Sequence, residues 1–143
     1  MQPVSYRPAK QEDAQFTLNL EEAAMRGYAE ALWGSWRPRS TLEEFDPEGV
    51  EIILADKSEI GLRKLNRKEE YLFVQRLYLL PEFRRRGIGR AVIDDIKSRA
   101  TSANLPVQLS VLTTNLDAKR FYEREGFSVI ASTPERIRME WRA

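Results

Sequence analysis

The stretch Leu72-Phe73-Val74-Gln75-Arg76-Leu77-Tyr78-Leu79-Leu80-Pro81-Glu82-Phe83-Arg84-Arg85-Arg86-Gly87-Ile88-Gly89-Arg90 decides how the chain is read. Tyr71 to Leu80 is rich in apolar and aromatic side chains and breaks at Pro81, which predicts a strand. Arg90 to Ala103 predicts a helix, and Ile88, Val92, Ile96 and Ala100 recur every four positions, as one packed face of it would. Between strand and helix lies a short basic loop with two glycines. The first four N–H groups of a helix have no internal partner, and the macrodipole puts partial positive charge at the same end. Phosphates bind there readily. Glycine tolerates positive φ and lets a ligand approach the backbone. The loop therefore reads as a cradle for a pyrophosphate.

On the N-terminal side, Val50 to Ala55 and Ile60 to Leu65 predict two more strands, separated by the turns Asp56 to Glu59 and Asn66 to Glu70. With Tyr71 to Leu80 they form an antiparallel meander. Further back, Val4 to Arg7 alternates and stops at Pro8, which suits a short first strand. Glu12 to Met25 has helical composition, Gly27 interrupts it, and Tyr28 to Trp33 adds a further turn or two before Gly34. Thr41-Leu42-Glu43-Glu44 matches a capping box and predicts a short helix. On the C-terminal side, Val107 to Leu112 alternates as a strand with one buried face. Asn115 is a good N-cap for a helix carrying Ala118, Phe121 and Tyr122, and Gly126 is placed to end it. Phe127 to Ser132 and Ile137 to Trp141 close the chain as strands. The order is β, α, α, three β, α, β, α, β, β: an α/β fold, with a mixed, largely antiparallel sheet flanked by helices.

A chain of 143 residues suits a single domain over 1–143 with a real core. No apolar run approaches the roughly 18 residues of a membrane span, and Met1 to Arg7 lacks the apolar core of a leader. The expectation is a cytoplasmic protein without a membrane partner. There is no cysteine and no histidine. That excludes a disulfide framework, a Cys-based zinc site, an iron–sulfur cluster and any Ser-His-Asp or Cys-His nucleophile, and no metal is expected. A general base must be a carboxylate, Lys, Tyr, a water or the chain terminus. Net charge is +1, so bulk electrostatics give no argument for nucleic acid. Charge is nonetheless uneven: Glu12 to Glu51 carries ten acids against three Arg or Lys, and Arg84 to Arg90 has four Arg and no acid. This would suit a cationic substrate beside an anionic cofactor, or two ordinary solvated faces. A dinucleotide fingerprint would need a third glycine where Val92 stands, and a P-loop would need Gly-Lys-Ser/Thr. An arginine-rich nucleic-acid patch lacks aromatic interleaving and a basic total charge.

Leu77 to Gly89, followed by Asn115 to Phe127, resembles the GNAT superfamily of N-acetyltransferases. Arg84, Gly87 and Gly89 match its acyl-CoA signature of Arg or Gln, two residues, Gly, one residue, then Gly or Ala. Asn115, Ala118, Phe121-Tyr122 and Gly126-Phe127 match its second half, about thirty residues on, with a helix and a strand between. The strand order agrees along nearly the whole chain.

The resemblance implies residue roles. The backbone from Arg85 through Arg86, Gly87, Ile88 and Gly89 to Arg90 would bind the pyrophosphate of acetyl-CoA, with the Arg side chains, including Arg84, adding charge. Leu77, Tyr78 and Leu79 would lie on a strand that splays from its neighbour, Val107 to Leu112, so that their backbone pairs with the pantetheine arm. Their side chains could equally be core. Tyr122 would be the general acid that protonates the leaving thiolate, since a phenol of pKa about 10 is protonated at neutral pH; the alternative is a core aromatic. Asn115 would bond the CoA arm or act only as an N-cap. Many relatives place a Glu where this chain has Gln75 or Ser110, and neither residue can act as a base. An amine of pKa about 10.4 is neutral in fewer than about one molecule in a thousand at pH 7. Something must take its proton: water, or Glu30 or Glu70 as fallbacks. Tyr28, Trp33 and Trp36 would either wall the acceptor pocket or pack the first helices onto the sheet. The implied reaction is direct transfer of acetyl from acetyl-CoA to a primary amine, on a small molecule, peptide or protein, in a ternary complex. The alternative is an acyl-CoA-binding sensor or assembly partner without turnover. A strand exposed after Arg136 could pair across a homodimer.

Overall fold

A computed structural model describes residues 3–143; Met1 and Gln2, the start of the segment read for a leader, lie outside the described residues. In chain order the elements are β1 (Val4–Pro8), α1 (Ala14–Trp33), β2 (Val50–Ala55), β3 (Ser58–Arg67), β4 (Leu72–Leu79), α2 (Ile88–Ser102), β5 (Val107–Leu112), α3 (Leu116–Arg124), β6 (Ser128–Ser132) and β7 (Arg136–Trp141). Single turns of 3-10 helix precede α1 and follow β4. The strands form one sheet in the order β1-β2-β3-β4-β5-β7-β6. Every pairing is antiparallel except β4 with β5. The fold class is the predicted one. β7 is covered by β5 and β6, so the open edge on that side is β6 and not the strand after Arg136. Among the described residues no helix is long and apolar enough to cross a membrane.

Three local expectations are corrected. Gly27 does not interrupt the first helix, which runs unbroken for 20 residues. An interior glycine costs about 1 kcal/mol, less than the flanking helix formers and the buried Leu20 and Ala29 supply. The helix ends instead at Gly34, whose φ of 78° is left-handed and whose N–H caps the Glu30 carbonyl at 2.8 Å. The Thr41–Glu44 capping box does form, with each backbone N–H donating to the other side chain at 3.2 Å. It closes one turn only, because Pro47 disfavours helix at Asp46. β3 starts at Ser58, earlier than expected, since Asp56 and Lys57 alone make the turn with φ of 50° and 69°.

Two cores sandwich the sheet. On one face Ile88, Val92, Ile93, Ile96 and Ala100 of α2, with Tyr122 of α3 and Phe127 just after it, pack on strand residues from Ile53 to Met139. The predicted α2 stripe is fully buried. On the other face Leu20 of α1 meets Val50, Ile52 and Leu62. A charged knot ties α2 to the meander. Arg63 of β3, completely buried, donates to Glu51 at 3.0 Å and to Asp95 of α2 at 2.7 Å, and its guanidinium stands 3.5 Å from the Tyr6 ring centre.

The pairing of β3 with β4 is unusually close at Gly61. A Cβ there would lie 2.3 Å from the Tyr78 carbonyl oxygen and 2.8 Å from Leu79 Cδ2. Backbone cannot yield as a side chain tip can, so Gly61→Ala should cost about 1–3 kcal/mol. The check is a urea titration whose midpoint falls at unchanged slope.

Candidate active site

β4 and β5 share only three register pairs, Leu72 with Val107, Phe73 with Gln108 and Val74 with Leu109. Beyond them the parallel strands part. The separation begins where β4 bulges: Lys64 of β3 faces Arg76, but Leu65 faces Val74, leaving Gln75 as the extra residue. A bulge bends its strand, and the β4 edge from Gln75 to Leu79 has no partner on the β5 side. Leu77, Tyr78 and Leu79 are thus brought to the rim of an opening in the sheet. Leu77 and Leu79 pack toward the α2 face and Tyr78 toward the α1 face.

The chain then turns through Pro81–Phe83 into the basic loop. Arg85 and Gly87 have left-handed φ of 61° and 80°, and Gly87 is the N-cap of α2. Among the described residues, none of the six N–H groups from Arg85 to Arg90 donates to a backbone carbonyl; bonding resumes with Ala91 N–H to Gly87 O at 3.1 Å. Successive free N–H groups around a left-handed residue make an anion-binding concavity. The side chains of Arg84, Arg85, Arg86 and Arg90 are exposed around it, while Ile88 is buried and can offer only its backbone. Gly89 packs closely: a Cβ there would stand 3.3 Å from Phe121 Cζ of α3, and the ring would have to give by a few tenths of an ångström. The loop and α3 are therefore close neighbours, as the resemblance implies.

On α3, Asn115 accepts the Ala118 N–H at 3.1 Å, so its capping role is met. Tyr122 is buried, with edge-to-face contacts to Phe121 and Phe127 at 5.1 and 5.4 Å. Burial, and then the neighbouring Tyr78, push its phenol pKa above the ordinary value. Tyr78 is pushed up to about 12, by burial first and then by the charge of Glu21. Both hydroxyls therefore remain protonated at neutral pH. A pKa raised on folding contributes stability that is complete below the unfolded value of about 10 and is lost as pH climbs through the folded one. In an absorbance titration, Tyr78 and Tyr122 should ionise only above about pH 11, together with alkaline unfolding; Tyr78→Phe and Tyr122→Phe should each remove one such step.

α1 spans the opening from the other face. Glu21, buried, accepts from Arg39 Nε at 3.1 Å. Two turns on, Tyr28 donates its hydroxyl to Asp117 at the start of α3, 3.1 Å away, and its carbonyl accepts from Thr114 Oγ1 at 2.7 Å. Trp33 is exposed and donates Nε1–H to Glu135 in the β6–β7 turn at 2.5 Å, which ties the helix end to that turn. Trp36 is half-buried in the following loop. Gln75 holds the side-chain amide of Asn66. Glu30 lies on the exposed side of α1, 3.4 Å from Arg26, and Glu70 is exposed at the far end of β4 from the opening. Neither fallback carboxylate stands at the opening. The charged residues that do lie near Tyr78, namely Glu21, Arg39 and Arg76, were missed. The available signal was Glu21 at helical spacing with Thr17 and Leu20 on the inward stripe. Among the described residues no group of three or more acids is placed to hold a metal.

The comparisons agree with this geometry. A family model described as acetyltransferase (GNAT) domain matches residues 48–129, which include the meander, the loop and α3. No curated protein sequence matches. Among solved structures, the PaiA N-acetyltransferase of Thermoplasma acidophilum, in complex with coenzyme A, superposes with a TM-score of 0.74 at 17% identity, covering 99% of each chain. The ribosomal-protein-S18-alanine N-acetyltransferase of Escherichia coli gives 0.70 at 15% identity, over 97% of this chain and 93% of that one. A chimera of the Vibrio cholerae spermidine N-acetyltransferase SpeG with hSSAT gives 0.71 at 20% identity, over 96% and 94%. Such identities speak to the fold; the family-model match extends over more than half of the sequence. With the split sheet and the free N–H groups of its glycine loop, the chain belongs to the GNAT acetyltransferase family.

Proposed function

We propose that the protein, acting as a single cytoplasmic domain, transfers the acetyl group of acetyl-CoA to a primary amine by direct attack in a ternary complex. The observation that carries the reading is the run of six N–H groups, Arg85 to Arg90, that donate to no backbone carbonyl among the described residues, beside the opening between β4 and β5. Acetyl-CoA supplies an acyl group on a thioester whose sulfur leaves readily when an amine attacks. The loop would bind its pyrophosphate through backbone N–H groups, with Arg84, Arg85, Arg86 and Arg90 contributing charge. The free β4 edge at Leu77, Tyr78 and Leu79 would pair with the pantetheine arm, and an N–H there would donate to the thioester carbonyl as negative charge develops. Asn115 would offer the arm its amide nitrogen, since Oδ1 is committed to Ala118. Tyr122 would present a proton at Oη to the departing sulfur. With no carboxylate at Gln75 or Ser110, the amine would lose its proton through water. Solved structures of the same fold include enzymes named for a small polyamine and for a ribosomal-protein alanine, so both acceptor kinds enter the test.

A pooled screen of amines and peptides with acetyl-CoA, read as a 42-dalton mass gain on the order of one acetyl per acceptor and as free CoA, tests the reading. Acetylated amine with equimolar free CoA is expected. Saturable CoA binding without CoA release across the whole panel would instead favour a sensor, the reading that the missing carboxylates at Gln75 and Ser110 motivate.

A further inference from the structure

The wall of the opening on the α1 side holds an arginine whose charge no hydrogen-bonded carboxylate meets. Arg76 is the β4 residue just past the bulge, where the strand leaves β5. Its guanidinium makes no hydrogen bond or ion pair with a described residue, and its Nε is buried without a partner. Burial, and then the neighbouring Arg39, lower its pKa, while Glu21, Tyr78 and Asp46 act in the opposite sense. The one buried carboxylate in this group, Glu21, is already engaged by Arg39. Four buried side-chain polar atoms lack a partner among the described residues. Three of them, Thr17 Oγ1, Trp36 Nε1 and Arg76 Nε, belong to the helix, loop and strand of this wall. Two of the three can only donate. Thr17 is one helical turn from Glu21, and Trp36 is in the loop that carries Arg39.

A guanidinium half taken out of water without an anion loses solvation, and buried donors left unmade, such as Arg76 Nε, are costly as well. A ligand that supplied acceptor atoms and one negative charge would relieve both. A polyamine would bring the wrong sign: it would face Arg76, and the carboxylate it needs is held by Arg39. The planar fork of arginine matches a carboxylate best. We propose that this wall is a carboxylate subsite, so that the amine acceptor belongs to the amino-acid class and its carboxylate is bound by Arg76, with Arg39 held in place by Glu21. The inference rests on the amine-acetyltransferase reading and narrows its substrate.

The test compares paired acceptors, α- and ω-amino acids against their own carboxamides, with acetyl-CoA and a free-CoA readout. The carboxylate partner should have kcat/KM about 10- to 100-fold higher, as expected for a charge-assisted hydrogen bond. Arg76→Gln should bring the ratio toward one, Arg76→Lys should recover part of it, and Arg26→Gln on the outer side of α1 should leave it unchanged. Arg76→Gln should also melt no lower than the wild type, since the half-buried guanidinium it removes has no hydrogen-bond partner among the described residues. Carboxamides used as well as acids, or a ratio unchanged in Arg76→Gln, would overturn the subsite and leave the acetyltransferase reading intact. A preference for aminoalkylphosphonates over amino acids would overturn the choice of carboxylate. If no amine is turned over, the reading itself fails. The same acid–amide pairs titrated into CoA-loaded protein then decide the subsite: an Arg76-dependent preference for the acid supports it, and equal binding overturns it.

Discussion

Tyr122→Phe is expected to lower kcat by about 10²–10⁴-fold, the range for loss of a positioned general acid, while the dissociation constant for CoA moves by no more than about twofold. The substitution removes one oxygen and keeps the ring that Phe121 and Phe127 hold edge-on. The burial that fixes the ring also keeps the proton on its oxygen. Steady-state CoA release and calorimetric CoA titration on the same preparation separate chemistry from binding. Full activity in the Phe variant would reduce Tyr122 to a core aromatic, and a parallel loss of CoA affinity would point to a disturbed helix.

The largest effect on stability should come from Arg63→Met. The side chain is wholly buried between Glu51, Asp95 and the Tyr6 ring. Removing one partner of a buried pair costs about 3–5 kcal/mol. Here the two carboxylates keep part of their solvent access, with 28% and 37% of each side chain exposed, and Arg99 approaches both. The low end, about 3 kcal/mol, is therefore expected, seen as a fall in Tm of about 10 °C. Adding Glu51→Gln and Asp95→Asn should recover most of the loss, since the penalty lies in the stranded charges and not in the absent bond. If the single variant melts with the wild type, the knot contributes nothing net.

The strands and the loop were legible in the sequence because local chemistry dictates them. Val50 to Ala55 and Val107 to Leu112 match the observed β2 and β5 residue for residue. Asn115, Gly126 and the four-residue repeat of α2 name their own positions. The errors fall where tertiary packing overrides a local preference. Gly27 reads as a break, yet the helix that crosses it is held by contacts at both ends. Thr41 and Glu44 make their box and then have no helix to cap. Glu21 could not be told from the nine other acids of its region until the fold put it beside Arg39. Arg76 looked like one more strand residue until the bulge at Gln75 fixed its face.

The unbroken α1 has a mechanical consequence. Past Val74 and Leu109 no ladder pair joins the two halves of the sheet among the described residues. One rigid rod reaches both, with Glu21 on the Arg39 and β4 side and Tyr28 on Thr114 and Asp117. The rod sets the gauge of the gap, as a spacer sets the distance between two rails. The gap can widen only if the Tyr28 contacts break or the last turns of the rod melt, so amide exchange in those turns and at Asn115, whose N–H donates to the Leu112 carbonyl at 2.9 Å, should rise and fall together. Gly27, with open space where a Cβ would go, is the weakest link of the spacer. Gly27→Ala should stiffen it by about 1 kcal/mol and slow both sets of amides alike.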